Sequence, residues 1–158
     1  MDRREFVSGT ILAGLALATA AEAATPAPAL PSPYLAAGGA TASIDALAAS
    51  ARACVAAADA CIRHCAQELA VGDKEMADCN WAVHAVHATS GATVTLASLR
   101  SARLAEMLPA TIAAAKACST ACHEHESHWA MGMHLECKAC AEACDALVTA
   151  AQATQKLL

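Results

Sequence analysis

The chain has 158 residues, enough for one domain, and a mild net charge of −5 with no basic run, which excludes a nucleic-acid-binding footprint. Apolar residues reach 57% while aromatics stay at 3%. Alanine dominates the apolar count; it is the best helix former and a poor strand former, so the composition predicts an all-α protein of thin, closely packed helices. The cysteines number nine, an odd count that cannot be fully paired within one chain.

Residues 1–23 read as an export signal. In "DRREFVSG", Arg3 and Arg4 followed by Phe6 resemble a twin-arginine motif. An apolar stretch over 7–21 follows, then Ala21-Glu22-Ala23, a small-x-small cleavage site. The stretch is short for a membrane span and rich in Gly, Ala and Thr, so it is expected to be removed and to leave no membrane contact. The twin-arginine route exports folded proteins. A thiol-rich chain taking it folds in the reducing cytoplasm before it meets the oxidising periplasm, its expected location. Residues 24–42, rich in Pro, Ala and Gly, read as a lead segment.

The bundle domain is predicted over 43–158, with Ser43 as the first N-cap. Its first helix spans about 43–71, with Gly72 just past the end. The second runs over about 73–100 and the third over about 104–127. Pro109 either starts the third helix or distorts its first turns. The fourth covers about 133–157, after a turn near Met131 and Gly132. Long helices on short connections predict an antiparallel up-down-up-down four-helix bundle.

At about 100° per residue, the cysteines fall into stripes. Cys54, Cys61 and Cys65 share one face of the first helix, beside Leu47, Ala51 and Ala58. Met76 and Cys79 share a face with Val83 and Val86 on the second; His87 lies on its edge and His84 further round. Cys118, Cys122 and His125 align on the third. Cys137, Cys140 and Cys144 align on the fourth, flanked by Met133 and His134. These are core positions, so the thiols are expected to point inward. In an antiparallel bundle they line one half of the core. Cys65, Cys79 and Cys137 are expected level with one another. Cys61, Cys122 and Cys140 come a turn deeper, then Cys118 and Cys144, then Cys54. The other half, with Leu47, Leu96, Leu108, Ile112, Val148 and Ala151, reads as ordinary apolar core.

The richest stretch is "CHEHESHWAMGMHLECKACAEAC", residues 122–144, with four cysteines, four histidines and two methionines. Cysteines four apart on one helix face are poorly placed for a disulfide. A continuous row of core thiols offers no substrate site, and the inward Glu-x-x-His of di-iron bundles is absent. Cys137-x-x-Cys140 beside histidine has zinc-like spacing, but one structural zinc needs only four ligands. Soft Cu(I) suits many bridging thiolates better, on the order of ten ions per chain if each thiolate bridges.

The Cys-x3-Cys and Cys-x6-Cys spacings, the closing "CKACAEAC", the His-rich turn before it and the exported four-helix layout resemble the copper storage protein family. The resemblance covers about 43–158 and is most specific over 118–144. It implies a non-enzymatic protein that stores or sequesters multiple Cu(I) ions, with a homotetramer expected for an exported member. This chain departs from the family pattern on its second helix, where Cys79 stands alone among the thiols. His125, His134, Met76, Met131 and Met133 are expected to admit copper at the bundle mouth, and His87 is a candidate core ligand. His64 is a candidate for the same mouth, His123 reads as a solvated turn residue, and Trp81 and Trp129 as packing or interface residues. A zinc or mixed-metal buffer and a thiol redox protein are the competing readings.

Overall fold

The computed structural model describes residues 40–158. The signal read at 1–23 and nearly all of the lead segment read at 24–42 lie outside the described residues. The elements are α1 (Thr41–Ala70), α2 (Met76–Ser98), α3 (Leu104–His123), a single turn α4 (Glu126–Trp129) and α5 (Leu135–Gln155). The protein is all-α across the described residues, and none of these helices is long and apolar enough to cross a membrane.

One spacing brings the four long helices together. Buried positions recur at alternating intervals of three and four. On α1 they are Leu47, Ala51, Cys54, Ala58, Cys61 and Cys65. On α2 they are Met76, Cys79, Val83, Val86, Ser90, Thr93 and Ala97. On α3 they are Leu104, Leu108, Thr111, Ala115, Cys118 and Cys122, and on α5 Cys137, Cys140, Cys144, Leu147, Ala151 and Thr154. A mean step of about 3.5 residues keeps one seam on one side of a helix. Each helix therefore has a narrow strip to bury: α1 packs on α2 and α5, and α3 packs on the same two.

The seam changes character along its length. At one end it holds leucines and threonines. Thr93 Oγ1 lies 2.8 Å from Thr111 Oγ1. Ser43 Oγ lies 2.8 Å from Thr154 Oγ1, joining the start of α1 to the end of α5. Arg100, just past α2, donates to Asp45 at 2.6 Å. At the other end the seam is sulfur. Leu96, Ile112 and Val148, expected in the core, only flank it; Ala97, Thr111 and Leu147 hold the buried positions beside them.

Several predicted boundaries shift for local reasons. α1 begins at Thr41, which puts Ser43 inside the helix, its hydroxyl engaged with Thr154, and leaves Ala40, with no polar side chain, at the N-cap. Gly72, at φ 98°, ends α1 as expected, and the Asp73 N–H returns to the Glu68 carbonyl at 3.0 Å. The Asp73 carboxylate then accepts the Glu75 N–H at 3.0 Å, which holds the turn open and delays α2 to Met76. α3 begins at Leu104, so Pro109 sits inside it, in the second turn. The predicted third helix to 127 breaks instead at His123, α4 follows, and α5 starts at Leu135 behind His134, whose backbone is left-handed at φ 52°.

Candidate metal centre

All nine cysteines are free thiols, and all are buried. Seams from four helices converge, so sulfurs far apart in sequence become neighbours. Cys79 sits at the hub. Its Sγ lies 3.5 Å from Cys122, 3.6 Å from Cys65, 3.7 Å from Cys61 and 3.8 Å from Cys137. Cys61 also reaches Cys65 and Cys137, each at 3.8 Å. Cys61, Cys79, Cys122 and Cys137 bring four sulfurs within 4.8 Å of one another, and Cys118, Cys122 and Cys140 form a second such group. Cys122 belongs to both. Cys118 and Cys140 are 3.7 Å apart, and Cys54 and Cys144, 3.8 Å apart, extend the array inward.

Cys122 sits in the last turn of α3, from where its Sγ reaches Cys79.

The thiols share protons unequally. The hydrogen bond from Cys122 is the main influence that lowers Cys79, to about 5, with Cys61 and Cys65 adding to it. Cys122, then Cys61, Cys65 and Cys79, hold Cys137 far below the ordinary thiol range, and Cys118, then Cys122, do the same for Cys140. Cys122 and Cys144 are pushed up, each first by Cys118. The protonated members lend S–H bonds to thiolate neighbours, because a water-poor core does not tolerate many adjacent anions. Thiols placed this closely could hold metal ions in place of their protons.

Above the thiols, the connection from α3 to α5 gathers histidines. One ring nitrogen from each of His125, His128 and His134 lies within 4.8 Å of the others. His64, from α1, places Nε2 2.8 Å from His134 Nδ1. A surface depression lined by Lys74, Glu75, Ala77, Asp78, Glu124 and His125 opens at this end. Its carboxylates outnumber its single lysine, which favours approach of cations.

The other predicted ligands divide. Met76 is fully buried in the first turn of α2, while Met131 and Met133 are exposed on the turn. His87 does not join the thiols. It lies partly exposed on the edge of the seam and pairs with Asp59 at 3.1 Å, bridging α2 to α1. His84 is exposed. His123 pairs with Glu126 at 3.3 Å on the surface, as a solvated turn residue would. Trp81 is exposed, whereas Trp129 is partly buried against the core. His128 was not singled out by helical spacing. It follows the break at His123, where the helical angle no longer applies, and the density of histidines was the one signal for it.

No protein-family model and no curated protein matches this chain.

Proposed function

We propose that this protein binds and stores or sequesters multiple Cu(I) ions through the inward thiolates of an antiparallel up-down-up-down four-helix bundle. On this reading it is not an enzyme, it is exported to the periplasm through the twin-arginine-like segment at Arg3 and Arg4, and it assembles as a homo-oligomer, a tetramer by its resemblance to copper storage proteins. The observation that carries the proposal is the continuous array of nine buried free thiols. Charge arithmetic favours a monovalent soft ion. Each Cu(I) replaces one S–H proton, so the core stays near neutral however many ions enter. A zinc ion held by four thiolates would leave about two negative charges in the same core.

Zinc has one specific point in its favour. Sulfur separations of 3.5–3.8 Å among Cys61, Cys79, Cys122 and Cys137 match the edge of a tetrahedron built on Zn–S bonds, about 3.8 Å. That reading leaves Cys54, Cys65, Cys118, Cys140 and Cys144 without a ligand role. Anaerobic Cu(I) titration separates the two. Storage predicts saturation well above about four ions per chain, with strong thiolate-to-copper absorption in the near ultraviolet. Saturation at one or two ions would sink it, and a zinc buffer would give up its metal to a zinc chelator.

A further inference from the structure

The histidines above the array have a chemistry of their own. We propose that His125, His128 and His134 form a separate site for a divalent ion of the zinc class, with His64 as the positioning residue that aims His134. This goes beyond the Cu(I) reading and does not depend on it.

The argument starts from unused nitrogens. His125 is only 4% exposed, and its Nε2 is buried with no hydrogen-bond partner. His128 Nδ1 is buried in the same condition. An unsatisfied buried imidazole nitrogen is costly, and an ion between the rings would recover that cost. His134 completes the set. Its Nδ1 faces His64 Nε2 at 2.8 Å, while His64 Nδ1 faces Glu136 Oε2 at 3.7 Å and Glu68 Oε1 at 3.9 Å. These carboxylates lie beyond hydrogen-bond reach, but their negative charge beside Nδ1 favours the tautomer in which His64 carries its proton there. In that tautomer His64 Nε2 accepts the His134 Nδ1–H. His134 is then left with the Nε2 lone pair free. A carboxylate–histidine chain behind a ligand is the usual way a metal-binding imidazole is aimed.

The backbone tells the same story. His134 holds φ 52° and ψ 35°, a left-handed conformation that strains a non-glycine residue. Glycine would suit the same turn without that strain.

The donor set selects the ion. Three neutral imidazoles with no thiolate among them suit Zn(II) and its neighbours. Soft Cu(I) has the thiols close by, and hard cations prefer oxygen. The nearby carboxylates of Glu68 and Glu136 balance a charge of two.

The test loads the protein anaerobically with Cu(I) until thiolate absorption stops growing, then adds Co(II) as a spectroscopic probe and, separately, Zn(II) by calorimetry. The site predicts one equivalent, with visible cobalt bands and no thiolate-to-cobalt absorption. His134→Gly removes the ring at a position glycine favours, so it should abolish this equivalent and leave helix content unchanged. His64→Gln should weaken Zn(II) binding by roughly 10–100-fold. Thiolate-type cobalt absorption alone, undiminished binding by His134→Gly, or no equivalent in the parent protein would each overturn the proposal. If the chain takes up little Cu(I), the storage reading falls alone. The same titration of copper-free protein then still tests the histidines, because His134→Gly should remove the imidazole-type cobalt spectrum and spare any thiolate-bound cobalt.

Discussion

A Cys122→Ala, Cys140→Ala double variant is expected to saturate with Cu(I) far below the parent count while its apoprotein remains folded. Cys122 is the one thiol common to the group with Cys61, Cys79 and Cys137 and the group with Cys118 and Cys140. Its loss divides the array, and loss of Cys140 strips Cys118 of its 3.7 Å neighbour. Ions held by bridging thiolates are then lost in numbers greater than the sulfurs removed. Cys54→Ala is the comparison. Among the described residues, its sulfur has one thiol hydrogen-bond partner, Cys144 at 3.8 Å, so its removal should cost about one ion. Folding tolerates these changes because each deletes a single buried atom, at about 1 kcal/mol, and alanine suits a helix interior. Anaerobic titration with circular dichroism of the apoprotein reads both quantities. A double variant that keeps the full count, or loses no more than Cys54→Ala, would show that the thiols act as isolated sites.

Leu108→Ala should do the reverse. Leu108 is fully buried and among the largest side chains of the core, on the thiol-free stretch of α3. Truncating it in a seam this narrow leaves a cavity, and a loss of about 2–5 kcal/mol is expected in denaturant unfolding of the apoprotein. The Cu(I) count should not move, because the nearest cysteine on its own helix, Cys118, is nearly three turns away. An ion count that falls with Leu108→Ala would mean that the two parts of the seam are not energetically separable.

Much of this was legible in the sequence because one periodicity carries it. The thiols at Cys54, Cys61 and Cys65 and at Cys137, Cys140 and Cys144 occupy the same three-and-four spacing as the leucines and alanines, so their burial follows from the seam. Legibility stopped where the helices stopped. A fixed angle per residue cannot pass the break at His123 or the left-handed turn at His134, so the meeting of His64, His128 and His134 was hidden. His87 stood on the seam's edge, where the choice between core and surface depended on the Asp59 carboxylate across the helix pair. Leu96, Ile112 and Val148 were chosen for hydrophobicity, but the three-and-four spacing puts Ala97, Thr111 and Leu147 in the seam.

The links at the two ends of the molecule differ in strength. Arg100 to Asp45, Ser43 to Thr154 and Thr93 to Thr111 tie the leucine-rich end with oxygen and nitrogen hydrogen bonds of 2.6–2.8 Å. The cysteine end is tied by S–H contacts of 3.5–3.8 Å, and the thiol is a weak donor. In the metal-free protein, amide exchange should therefore run faster in the turns that carry Cys61, Cys79, Cys122 and Cys137 than in those that carry Leu47, Leu104 and Leu147. On the Cu(I) reading, the chain is then expected to work as a hinge fastened at one end, its helices parting around incoming ions and closing on them without unfolding.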